Sequence, residues 1–346
     1  MKKTIMILAA ILLANSYTTA QVVQENEATI VYYMPKTELL ITLEYDVITQ
    51  TPGVFYQYAA YYLGTCNVIT ESKTQYSLTH ITTRTHVSSD RERAFQVVGQ
   101  KGIDMQLLAL SEDGRLLGYN IEYPTSISPV IPITPAKTAL PTAQPMPLLE
   151  EQLIAGSTAK MAEGAAKQIY RIRETRLNLL AGEVEHVPAD GAAMKLVLEE
   201  LDKREQELVD LFVGTTTIQH HTSCISYCPE ANVDKEVICR FSQHSGVVSN
   251  KDLSGSPITL TSQSSKPSIY KTEVNPKAPL LSQIYYNLPG EATISIAYNG
   301  KQMSTGTYTI AQYGIAVPLA LDLFTGKQMP IIHIHPNTGN IQSIQR

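Results

Sequence analysis

Two stretches of the chain, residues 157–181 and 190–213, lack interior proline and are rich in Ala, Leu, Glu, Lys and Arg, while the rest reads as strand, turn or proline-rich connection. Helices gathered in one block between β sequences argue against alternating βαβ units with a parallel sheet and for an α+β fold with segregated elements. Gly182 and Gly214 stand at C-cap positions and Asp190 at an N-cap. Met194, Val197, Leu201, Leu208 and Leu211 recur at steps of three and four, one apolar stripe. The first helix carries Lys160, Lys167, Arg171, Arg173 and Arg176, and the second Glu199, Glu200, Asp202, Glu205, Glu207 and Asp210. Opposite charges can therefore flank one seam, which predicts an antiparallel helical hairpin. Such a hairpin buries only one stripe of each helix between its members. Ile169, Ile172, Leu179 and Leu180, with Leu198 and Phe212 just off the seam, still need a cover. The β units of the same chain are one candidate; a second protein is the other, and for that reading Leu198 and Phe212 are the candidate protein contact.

On the N-terminal side, ATIVYYM and ELLITLEYDVI (28–34 and 38–48) have the β-branched and aromatic content of two strands split by Pro35, Lys36 and Thr37. TPGVFYQYAAYYLG (51–64) places Thr51 as N-cap, Pro52 at the first helical position and Gly64 at the end of a short helix. Phe55, Tyr58 and Tyr62 then share one face; five aromatic rings in eight residues can form a ligand platform, but packing against a sheet is the expectation. Further strands are expected in 75–86 and 105–123, the latter with hairpin chemistry at Glu112-Asp113-Gly114. Residues 124–147 hold seven of the nineteen prolines, so they form a linker or strap rather than helix or central strand. After residue 215 β signals return, with turns at Asn299-Gly300, Thr325-Gly326 and Thr338-Gly339. The expected organisation is a β-rich unit at 21–123, a strap at 124–150, a helical hairpin at 151–214 and a second β-rich, sandwich-like unit at 215–346. Merger of the two β units into one sandwich stays open.

Residues 1–20 have the three parts of a secretory signal peptide: Lys2 and Lys3, an apolar run from Ile5 to Ala14, and Thr18-Thr19-Ala20 before a cut at Gln21. An exported, periplasmic or envelope-associated protein is expected, without a lipid-bearing cysteine at the new N-terminus and without a later apolar run long enough to span a bilayer. Export permits disulfides. If 216–228 is a strand, Cys224 and Cys228 lie about 13 Å apart and cannot bridge each other. Pairing Cys228 with Lys235 across a six-residue loop would put Cys224 opposite Cys239, the favoured bridge. A zinc site using His220 or His221 is the competitor.

Five segments together resemble an exported family of Bacteroidota known as domain of unknown function 4831: YYMPKTELLITLE (32–44), PGVFYQYAAYYLG (52–64), ETRLNLLAGEVEHVPADGAAMKLVLEELDKREQELVDLFVG (174–214), RFSQHSGVV (240–248) and FTGKQMPIIHIHPNTGNIQSI (324–344). The helical segment is the specific part. The resemblance implies no activity and supplies no functional residues.

A formal charge of −5, with no run of basic residues longer than two, argues against nucleic acid as a partner. Ser157-Thr158-Ala159-Lys160 matches the S-x-x-K of acyl-enzymes at a helix start, where serine is also simply an N-cap. His333 and His335 flank one residue of a predicted strand and share a face, with His220, His221 or His244 as a third ligand, yet no zinc spacing accompanies them. No catalytic residue, metal or cofactor is assigned. The expectation is a non-catalytic binding or scaffold protein of the cell envelope with a protein partner; the alternative is an envelope hydrolase acting on peptidoglycan or glycan.

Overall fold

The computed structural model describes residues 29–98, 103–122, 147–148, 156–183, 190–230, 232–264, 283–324 and 328–346. The expected signal peptide, nearly all of the expected proline-rich strap and the expected Thr325-Gly326 turn lie outside them. The fold is α+β and mostly β, with three sheets and the helical region between β-rich parts.

Its longest feature is an antiparallel ribbon of β1 (Thr29–Thr51) and β2 (Lys73–Val98), paired from Thr29↔Val98 to Gln50↔Lys73. At 23 residues β1 runs about 75 Å. Tyr32 and Met34 are buried near one end, whereas Leu39, Ile41 and Leu43 are buried further along. Side chains alternate along a strand, so these even and odd positions belong to opposite faces of the ribbon. One strand thus serves two cores. The sequence expectation of two strands split at Pro35 is corrected here. β5 (Thr215–Tyr227) joins β1 only from Leu39 onward, so at Pro35 the strand has a partner on one side alone, where a missing N–H is tolerated.

The middle core is a sandwich. The sheet β2-β1-β5 packs Leu39, Ile41, Leu43 and Ile81 against Cys239, Phe241, Ile258, Leu260, Ile294, Ile296 and Ile310. These come from a five-stranded sheet, β10-β9-β8-β6-β7, built from β6 (Val233–Ser242), β7 (Gly246–Val248), β8 (Ser256–Ser264), β9 (Tyr285–Tyr298) and β10 (Lys301–Pro318). The β9–β10 turn is the expected Asn299-Gly300, with φ of 50° and 74°. A second core joins Tyr32, Met34 and Val97 to a four-stranded sheet, β12-β11-β4-β3: β3 (Leu108–Leu110), β4 (Leu116–Tyr119), β11 (Ile331–Ile334) and β12 (Ile341–Gln345). Sheets therefore draw strands from both sides of the helical block, and the divisions expected at 123 and 215 separate residues that fold together.

All three sheets meet at one buried polar junction. Opposite Tyr33 and Met34, β2 carries three unpaired residues, Arg91, Glu92 and Arg93, and β10 bulges between Ile310 and Ile315. Fully buried Asn287 of β9 donates through Nδ2 to Ala311 O at 2.9 Å and Thr338 O at 2.8 Å, and its Oδ1 accepts from Arg93 Nη2 at 3.0 Å. Gln312 pairs with the Thr37 backbone as a strand would, accepting from its N–H and donating to its carbonyl, both at 2.8 Å. Thr37 Oγ1 accepts from Ala311 N at 3.0 Å. Thr338 lies in the β11–β12 turn, so the cluster ties ribbon, five-stranded sheet and four-stranded sheet together.

The expected β5–β6 hairpin does not form. β5 pairs with β1 and β6 with β7 and β8, so Cys224 and Cys239 stand in different layers of the sandwich. Cys224, opposite Thr42, points to the outer face, and Cys239 points into the core. Inward and outward thiols on separate sheets cannot reach disulfide geometry, and all four cysteines are free.

Two predictions follow from this packing. Asn287→Ala should lower unfolding free energy by about 1–3 kcal/mol in denaturant titration, since two carbonyls and the Arg93 guanidinium lose a buried partner; an unchanged midpoint would contradict the junction. Burial pushes the Cys239 thiol up to about 12, so at pH 8 its reactive thiolate is scarce as well as enclosed. Alkylation followed by peptide mapping should therefore label Cys224 in the native protein and Cys239 only after unfolding.

Candidate functional site

Between β1 and β2 the chain turns through Pro52–Gly64, and here the helical block is docked. The expected helix start at Thr51 is replaced by strand: Thr51 ends β1, a 3-10 turn covers Tyr56–Tyr58, and α1 (Ala59–Leu63) closes at left-handed Gly64, φ 65°. The intervening backbone has another task. Phe55 N donates to Leu211 O at 2.7 Å, satisfying a carbonyl that the end of a helix leaves open. Gly53 lies so close that a Cβ there would sit 2.4 Å from the same oxygen.

The hairpin itself is as expected: α2 (Thr158–Ala181) and α3 (Gly191–Val213), with Ser157 Oγ accepting from Lys160 N at 3.3 Å and Asp190 Oδ1 from Ala193 N at 2.6 Å. The S-x-x-K serine is thus a helix cap. Arg173 meets Glu205 at 2.7 Å and Arg176 meets Asp202 at 2.5 Å and also Glu205, which sets the antiparallel register.

At its proximal end the hairpin has a core of its own. Phe55 and Ala59 pack on Ala162, Ala165, Ala166 and Ile169 of α2 and on Leu208 and Phe212 of α3. Small alanines let the segments approach closely. Phe212, expected at a partner surface, is fully buried, with its ring centroid 5.5 Å from that of Phe55. The chain covers this residue itself, so Phe212 is not a contact for a second protein. Leu198 is half-buried toward the other end.

Beyond this core the apolar stripe continues uncovered. Leu177 stands eleven residues after Ala166 and Leu180 eleven after Ile169, while Val197 stands eleven before Leu208. Eleven residues are about three turns, returning a side chain to within about 20° of the same face. Ala166, Ile169 and Leu208 are buried, whereas Leu177 is 66% exposed, Leu180 63% and Val197 37%. Tyr170, seven residues before Leu177, is half exposed; its hydroxyl donates to Tyr62 O at 2.7 Å and the Arg173 guanidinium lies 5.7 Å from its ring centre. Sequence periodicity located the stripe but not where the core stops, because that depends on how far residues 53–63 reach along the helices.

A second feature is a cleft of about 810 Å³ at the foot of the hairpin, lined by Gln50, residues 67–73, Val213, Gly214, Thr216 and His244. Its polar side chains include Glu71, Lys73 and His244. The histidines do not assemble: His335 Nδ1 accepts from Asn337 N at 3.2 Å within a turn, His220 lies 2.5 Å from Asp46, and His221 stacks on Tyr45. Among the described residues no group of three His, Cys, Asp or Glu is placed to hold a metal ion, and no helix is long and apolar enough to cross a membrane.

No curated protein and no solved structure matches the chain. A family model does match, over residues 28–342, and the chain belongs to that family, described as Domain of unknown function (DUF4831).

Proposed function

We propose that this is a non-catalytic binding or scaffold protein of the bacterial cell envelope that engages a partner protein through the distal half of its helical hairpin. The observation that carries the reading is the stripe that is core at Ala166, Ile169 and Leu208 and exposed three turns away at Leu177, Leu180 and Val197. Tyr170 and Arg173 are of the residue types enriched at interface centres, and the uncovered leucines beside them add apolar surface. Ion pairs at Glu205 hold the two helices in register, so the distal surface is pre-organised and little ordering entropy opposes docking. The envelope is supported by the signal-peptide pattern of residues 1–20.

The test compares the two halves of the stripe. Leu177→Asp with Leu180→Asp should abolish co-purification of a partner that the wild-type chain retains, with stability within about 0.5 kcal/mol of wild type. Phe212→Ala, in the proximal core, should instead cost about 3–5 kcal/mol in denaturant titration. Undiminished capture by the distal variant, or a stability loss in it equal to that of Phe212→Ala, would contradict the assignment.

A further inference from the structure

A sheet edge exposes a row of backbone N–H and C=O groups, and proteins guard such rows with charge, proline, bulges or brevity. Five of the six edge strands here, among the described residues, are guarded in those ways. β2 has two register shifts and Lys73, Arg84, Arg91 and Arg93. β10 has two register shifts and the terminal Lys301 and Pro318. β3 and β7 are three residues long. β12, the remaining edge of the four-stranded sheet, has five residues and a register shift. β5 is the exception. It pairs on one side only, with β1, over Leu39↔Tyr227 to Thr51↔Thr215 without a shift. Its thirteen residues, TTTIQHHTSCISY, include no Lys, Arg, Asp, Glu, Pro or Gly.

We propose that β5 pairs with β5 of a second copy of this chain, antiparallel about a two-fold axis, joining two three-stranded sheets into one continuous sheet. This is independent of the partner assigned to the hairpin. The occupant is chosen by charge. A chain of net charge −5 repels its copies, and a long strand carrying no formal charge is where two of them meet at least cost. Two-fold pairing sets each residue of β5 against another residue of the same strand, so no register brings like charges together. Thr, Ile and Tyr fill seven of the thirteen positions, a content suited to cross-strand packing on both faces. Outward-facing Ile218 is 56% exposed, an apolar side chain on an otherwise polar outer row of Thr216, His220, Thr222, Cys224 and Ser226.

Sedimentation velocity and light scattering on the full chain, from micromolar to hundreds of micromolar, test the proposal. A dimer is expected, with amide exchange of residues 216–226 slowing as concentration rises while that of β2 does not. Ile218→Lys with Thr222→Lys places two charges on the outer row of the edge and should halve the mass with an unchanged circular dichroism spectrum. Leu177→Asp with Leu180→Asp should leave the dimer intact, so failure of the hairpin assignment and failure of this one are separable. A monomer at every concentration, or a dimer that persists with the lysine pair, would overturn the proposal. So would a dimer lost only in the hairpin variant. If the lysine pair fails to fold, the wild-type exchange decides: protection of 216–226 that is independent of concentration overturns it equally.

Discussion

The antiparallel pairing of β1 with β2 is the interaction on which the rest of the molecule depends. One face of the ribbon near Tyr32 supports the four-stranded sheet, the other face at Leu39, Ile41 and Leu43 forms one wall of the sandwich, and the loop joining the two strands supplies Phe55 and Ala59 to the helical core. A change of face along one strand exposes a polar backbone between two apolar sites, and that stretch must find hydrogen bonds without neighbouring strands on both sides. Thr37 is where this happens. Gln312 supplies the pairing that an absent strand would have made, and the β10 bulge presents Ala311 N to the threonine hydroxyl.

That junction also explains two irregularities of the pairing. Without the three-residue excursion of β2, Arg93 could not leave the ladder to reach Asn287, and without the bulge of β10 the Ala311 carbonyl would be engaged within the sheet rather than by Asn287. Close approach demands glycine here: a Cβ on Gly314 would sit 1.9 Å from Leu288 O. Buried polar clusters of this kind stabilise only when every member is satisfied, which makes the junction a determinant of how the three sheets are placed as well as of how strongly they hold.

Much of this was legible in the sequence where local physics decides. Helix composition, the caps at Ser157, Asp190 and Gly182, the charge seam to Glu205 and the Asn299-Gly300 turn each act within a few residues or between adjacent helices. What was illegible depends on distant partners. Pro35 reads as a strand breaker unless it is known that β5 stops short of it. Cys224 and Cys239 read as neighbours on a hairpin because nothing between residues 228 and 233 says that the chain crosses between layers. Phe212 reads as a surface residue until Phe55, more than 150 positions earlier, is brought against it. The proposed contact surface follows the same rule, since the stripe is local but its uncovered portion is defined by where a remote loop ends.

Ile41→Ala offers the most direct measurement of the ribbon's role, because Ile41 is fully buried in the sandwich and belongs to neither of the other two cores. Its loss should cost about 2–5 kcal/mol. Unfolding is then followed by amide exchange resolved to α2 and α3, to the sandwich and to β11. If the ribbon unites the cores, all three regions shift together in one cooperative transition. Retention of the wild-type midpoint by the helical hairpin or by the four-stranded sheet, while the sandwich alone melts earlier, would contradict it.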